Sequence, residues 1–147
     1  MSNVSFRVEP GTTTAIVGHT GSFKTSILRL LFRFYEPLSG SITIADKYDI
    51  SHVTLHSLHA CIGVVPQEAV LFHNTILYNI QYGRPEASME DIEAAAEAAQ
   101  ILDYILSLPD KWLTVVGERG HKLSGGEKQR VAIARCLVSS RVSICAL

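Results

Sequence analysis

Residues 12–35, TTTAIVGHTGSFKTSILRLLFRFY, constrain the fold more than any other stretch. The apolar run TTAIVG (13–18) reads as a short strand. Gly18 ends it, and Gly21, Lys24 and the hydroxyl residues Thr20, Ser22, Thr25 and Ser26 follow. Ile27, Leu28, Leu31 and Phe34 or Tyr35 then recur at helical spacing, which predicts a helix over 24–35. A strand, a glycine-rich turn and a helix start in succession make an anion site. Backbone N–H groups point inward there, and the helix N-terminus carries partial positive charge. The spacing is that of a phosphate-binding loop, G-x-x-x-x-G-K-[ST], with one departure: Phe23 stands where the second glycine belongs. Gly18, His19, Thr20, Gly21, Ser22, Lys24, Thr25 and Ser26 are therefore the candidate phosphate contacts. Lys24 would reach the β- and γ-phosphates of ATP, and Thr25 would offer its hydroxyl to Mg2+. A benzyl group adds bulk where glycine lets backbone approach phosphate, unless it swings outward, and the torsions there can favour glycine. ATP and Mg2+ are both expected to bind weakly. The plain alternative is an ordinary strand-to-helix turn.

The rest of the chain alternates strands and helices, which predicts an α/β fold. NVSFRV (3–8) sets Val4, Phe6 and Val8 on one face and reads as a strand, as does SITIA (41–45). VTLHSLHA (53–60) reads as a short helix, and CIGVVPQ (61–67) as a strand stopped by Pro66. Residues 88–109 read as one long helix. Ser88 caps it with Asp91 in answer, Ile92, Ala95, Ala96, Ala99, Leu102, Ile105 and Leu106 form its buried stripe, and Pro109 closes it. LTVVGERGHK (113–122) reads as a loop. LSGGEKQRVAIARCLV (123–138) is a second capped helix, with Ser124 and Glu127 three apart, and RVSICAL (141–147) is a last apolar strand. At 147 residues the chain fits one core, and 47% apolar against 18% charged residues excludes disorder. Thirteen basic and fourteen acidic residues leave no strong net field, so nucleic acid is not an expected partner. No apolar run is long enough to span a bilayer, and residues 1–11 lack the pattern of a signal or transit peptide. Cys61, Cys136 and Cys145 sit among apolar residues and read as free thiols.

LSGGEKQR (123–130) adds a second helix start. Ser124 caps it, and Gly125 and Gly126 leave N–H groups accessible to a phosphate. With this octet the sequence resembles the nucleotide-binding domain of ATP-binding cassette (ABC) transporters, from NVSFRV through IARCL. The resemblance implies a P-loop NTPase-like cassette, incomplete, with a helical subdomain that bears the signature. Residues 1–65 and 131–147 would form the core; residues 66–130 would hold the Q-loop, the helical subdomain and the signature. GVVPQE matches the family's Q-loop, which places Gln67 near Mg2+ and the attacking water, beside the membrane-domain contact. VVGERG matches a loop that exporters carry before the signature, with Glu118 in the coupling position. Two cassettes pair head to tail in this family, so Ser124, Gly125 and Gly126 would touch a γ-phosphate held by a partner's loop. LLFRFYEPLSGSI, GVVPQEAVLFHNTI and NIQYGR are most similar to the mitochondrial half-transporters of the iron–sulfur and heavy-metal-tolerance type. A second cassette, a transmembrane domain and association with the mitochondrial inner membrane through the parent transporter follow from that likeness.

The family continues beyond VSICAL into the Walker B aspartate and a catalytic glutamate, and begins with an adenine-stacking aromatic upstream of residue 1. With these outside the sequence, no general base is expected among residues 1–147, turnover is expected to be impaired or absent, and apolar sheet surface is expected to be exposed. A non-catalytic cassette partner that donates only its signature helix, or a degenerate gene fragment, is the competing reading. A soluble ABC protein of DNA repair or translation fits less well, because the Q-loop context and VGERG serve coupling to membrane domains. His52, His56 and His59 with Cys61 nearby could hold zinc if helical; a solvated helix face is the plainer reading.

Overall fold

The computed structural model describes residues 3–19, 21–118, 120–139 and the backbone of 143–146. The chain divides into two compact units, 1–58 and 59–147. The first holds helix α1 (Lys24–Leu31) and a hairpin of β1 (Thr43–Ile44) with β2 (Tyr48–Asp49), paired antiparallel. Helix α2 (Leu55–Cys61) runs across the division. The second holds β3 (Ile62–Val65), β4 (Asn74–Thr75), α3 (Ile76–Gln81), α4 (Met89–Ala98), α5 (Leu102–Ser107), β5 (Val115–Val116), α6 (Gly125–Val138) and β6 (Ser143–Ala146).

Alternation alone does not make a strand, because extended backbone must find a neighbour for its N–H and C=O groups. The stretches NVSFRV and TTAIVG show this. Neither forms a strand, and Val4, Phe6, Val8, Ile16 and Val17 are all exposed. SITIA shortens to β1 for the same reason, with only two residues opposite a partner. Helix α1 also ends earlier than its spacing suggests. Phe32 N–H bonds back to Leu28, but Arg33 turns to φ 53° and stops the helix. The Arg33 guanidinium then donates to the carbonyls of Ile50 (3.1 Å) and Val53 (2.9 Å), tying the helix end to the hairpin exit.

In the second unit, β3 and β6 pair in parallel, Ile62 opposite Ser143 through Val65 opposite Ala146. Helix α6 packs on β3 through Ala132 and Cys136 against Val65. On another side Val131, Ala134 and Val138 join Ile76, Ile80, Ile92, Ala96, Ile101 and Ile105 in the main core. Small residues bring the helices close. At Gly83, a β-carbon would stand 2.1 Å from the Arg135 carbonyl oxygen, so the end of α3 meets the α6 backbone directly.

The segment 88–109 is two helices, not one. Helix α4 closes at Ala99, and Gln100 takes φ 57°. Ile101 N–H then bonds to Ala96 O (3.0 Å) and Gln100 N–H to Glu97 O (2.8 Å), the left-handed closure that satisfies terminal carbonyls. The turn buries Ile101 while α5 restarts in a new direction, leaving Leu106 exposed. The strand β2, helix α3, the β4–β5 pair and a 3-10 turn at Lys111–Leu113 have no forecast from sequence. No described helix is long and apolar enough to cross a membrane.

Candidate functional site

The phosphate-type loop is built by backbone turns around residues 18–24. Ser22 N–H bonds to His19 O (3.1 Å), and Gly21 sits at φ 87°. A β-carbon at Gly18 would lie 2.4 Å from Ser22 Oγ, so a side chain there would turn the Ser22 hydroxyl aside. Lys24 folds back over the loop. Its ammonium donates to Gly18 O (2.7 Å), His19 O (3.0 Å) and Ser22 Oγ (3.5 Å). These are neutral acceptors for a full positive charge, so an anion entering the loop would compete well for the lysine. Helix α1 has no side-chain cap and no acidic residue in its first turn. Its leading N–H groups at Lys24 and Thr25 thus lie at an exposed, uncompensated positive helix end. Thr25 is exposed and Ser26 half-buried on that turn; Thr20 lies outside the described residues.

Phe23 is the N-cap of α1 and holds φ 62°, ψ 20°, the left-handed conformation that glycine takes without cost. Its side chain is 60% exposed, so the ring stands in solvent and is not packed into the loop. Glycine is favoured here for backbone torsion, not for want of space. The residues present therefore fit a phosphate group, with one side chain at the edge of the cradle.

The second helix start, at α6, is closed by a capping box. Ser124 Oγ accepts from Glu127 N–H (3.3 Å), and Glu127 Oε2 accepts from Ser124 N–H (2.6 Å). Leu123, buried, anchors the entry, while Ser124, Gly125 and Gly126 are exposed. A β-carbon at Gly125 or Gly126 would meet nothing. Two glycines at the start of a helix lower its stability and here relieve no clash within the chain. Behind the cap lies a residue that sequence reasoning missed. Tyr104 contacts His121 (Oη to Nε2, 3.3 Å), and burial, then the charge and hydrogen bonding of Glu127, raise its phenol pKa.

Gln67 is exposed in the turn that follows β3, directly after Pro66. The parallel register sets it at the carboxyl end of the β3–β6 pair, the edge where open α/β sheets receive ligands. Downstream, residues 70–79 are stitched by buried Asn79. Its amide accepts from Phe72 N–H (2.9 Å) and donates to Phe72 O (3.1 Å) and Thr75 O (2.9 Å). A lone Asn in the apolar run ILYNI was the available signal. Glu118 is exposed on the loop after β5. That loop is folded tightly: His121 N–H returns to Val115 O (2.7 Å), and Gly117, at φ 105°, lies against the His73 backbone. Among the described residues no three His, Cys, Asp or Glu side chains gather to hold a metal ion, so His52, His56, His59 and Cys61 form no zinc cluster.

The chain has relatives among known proteins. The family model described as ABC transporter matches residues 1–145. The chain is 56% identical over 140 residues to the ATM1-type heavy metal exporter of Novosphingobium aromaticivorans, covering 95% of this chain and 23% of that protein. It is equally 56% identical over 140 residues to the mitochondrial iron-sulfur clusters transporter ABCB7 of Danio rerio, covering 95% of this chain and 19% of that one. Among solved structures, a bacterial Atm1-family ABC exporter with ATP bound superposes with a TM-score of 0.80 at 55% identity, over 87% of this chain and 22% of the other. The chain thus spans about a fifth of the length of the curated relatives it matches. A family match over residues 1–145, nearly the whole chain, shows that the chain belongs to the ABC transporter family.

Proposed function

We propose that this chain is the ATP-binding module of an Atm1-type exporter, serving a half-transporter of the mitochondrial inner membrane. The observation that carries this reading is the pair of exposed helix starts, one uncapped around Lys24 and one at Ser124–Gly126 that is capped but begins on two exposed glycines. The glycines of the second are unexplained by packing within the chain. In this reading Gly18, His19, Thr20, Gly21, Ser22, Lys24, Thr25 and Ser26 wrap the triphosphate. Lys24 exchanges its loop carbonyls for phosphate oxygens. Thr25 and Gln67 hold Mg2+, which supplies positive charge to the β- and γ-phosphates when bound. Ser124, Gly125 and Gly126 offer N–H groups and a hydroxyl to the γ-phosphate seated on a second cassette, which keeps the two cassettes together while nucleotide is present. Residues 66–130 act as an insertion between core segments 1–65 and 131–147; the pairing of β3 with β6 supports that division. The transmembrane domain docks beside Gln67 and Glu118.

Phe23 sets the affinity. Its ring crowds the rim, and nucleotide binding is weakened relative to a glycine at that position. Titration with a fluorescent ATP analogue tests the reading: Phe23→Gly should tighten binding about tenfold, about 1.4 kcal/mol. Lys24→Ala should abolish it. Equal affinity for wild type and Phe23→Gly would remove the role given to the ring. Unchanged binding in Lys24→Ala would sink the nucleotide site itself. A partner that donates only its signature helix is the second reading, favoured by the left-handed Phe23. It predicts no binding by wild type and no rescue by glycine.

A further inference from the structure

Arg135 is a half-buried cation on α6 that takes part in none of the salt bridges among the described residues. Burial lowers its pKa, and Tyr82 nearby opposes the shift. A desolvated guanidinium without a carboxylate gains little stability from charge, so its value here is geometric. Its planar fork is spent entirely on one segment. Nε donates to Asn79 O (2.8 Å), Nη2 to Asn79 Oδ1 (2.8 Å) and Nη1 to Val70 O (3.3 Å), while the guanidinium carbon lies 5.2 Å from the centre of the Phe72 ring. Asn79 in turn holds both backbone groups of Phe72 and the carbonyl of Thr75. One side chain therefore gathers the whole strap from Val70 to Asn79, which begins three residues after Gln67. The close backbone approach at Gly83 leaves α3 no slack against α6.

We propose that Arg135 is a positioning residue that makes the signature helix α6 and the strap after Gln67 move as one body, so that nucleotide contact at Ser124–Gly126 is felt at residues 68–80. The proposal rests on the nucleotide-site reading above. Val70, Phe72 and Asn79 are held by a fork whose directions a lysine cannot reproduce. Transmission thus depends on guanidinium shape and not on positive charge alone.

Hydrogen exchange of the protein with and without ATP and Mg2+ tests this. In wild type, ATP should slow exchange in peptides covering 124–130 and, by about threefold or more, in those covering 68–80. In Arg135→Gln the slowing at 124–130 should persist, and that at 68–80 should disappear. Arg135→Lys should behave like Arg135→Gln; restoration by lysine would overturn the fork in favour of a simple charge. Slowing at 68–80 that survives in Arg135→Gln would overturn the proposal, because the strap would be coupled some other way. Loss of slowing at both peptides in a folded variant would reduce Arg135 to a structural role. No slowing at 124–130 in wild type would sink the nucleotide reading and this proposal with it. Should Arg135→Gln fail to melt cooperatively, Arg135→Lys carries the same comparison.

Discussion

The two units of this chain are held together differently. In the first, Phe32, Ile50 and Leu58 are the buried apolar residues among those described, while Val4, Phe6, Val8, Ile16 and Val17 face solvent. In the second, an apolar cluster runs unbroken from Ile76 through α4 and α5 to Val138. The phosphate-type loop belongs to the thinly packed unit and helix α6 to the well-packed one. Burial of apolar surface is the main source of stability, so local stability should be lower around the loop than along α6. The helix starts follow suit. Helix α1 begins on an uncapped left-handed Phe23, and α4 and α6 begin on closed capping boxes.

This contrast can be broken most sharply by amide exchange. Amides of α4 and α6 should exchange slower than those of residues 3–19 by roughly a thousandfold or more, about 4 kcal/mol. Comparable protection in both would erase the difference. Next comes side-chain truncation followed by urea melts. Ile105→Ala, in the fully buried cluster, should cost about 3 kcal/mol. Val17→Ala, 87% exposed, should stay within about 0.5 kcal/mol. Equal costs would mean that the first unit contains a core after all. A smaller effect separates the caps: Ser124→Ala should lose about 1 kcal/mol, since it opens the box at Glu127. The smallest is acid-dependent. Hydrogen bonds from the Ser88 hydroxyl and N–H, then the Arg84 guanidinium, lower the pKa of Asp91. A depressed carboxylate contributes stability above its unfolded pKa, and that contribution fades as pH falls through the folded value. The difference in melting temperature between wild type and Asp91→Asn should accordingly be present at neutral pH and vanish on acidification; a gap that widens in acid would reverse the assignment.

What sequence could reveal depended on how far each determinant reaches. Both capping boxes are local, written as Ser88 with Asp91 and Ser124 with Glu127, and both form as read. The backbone turn at 18–24 and the start of α6 were legible for the same reason: glycine, lysine and serine act on their immediate backbone. The break between α4 and α5 was not, because Ala98-Ala99-Gln100-Ile101 continues a helical pattern without glycine. The turn arises where burying Ile101 outweighs the left-handed cost at Gln100. The strands at 3–8 and 13–18 failed because a strand is a property of a pair. Least visible was the link from Arg135 to Asn79, whose members lie 56 residues apart and announce themselves only as polar residues in apolar helices.

The register of β3 with β6 has a kinetic consequence. Joining Ile62 to Ser143 closes a loop that contains every helix from α3 to α6. Closing so long a loop from an open coil is entropically unfavourable and slow. Prior collapse of the α3–α6 cluster would shorten that loop, and on this route the parallel pair would form last. Mutations in Ile62–Val65 should then hasten unfolding while leaving the folding rate almost untouched.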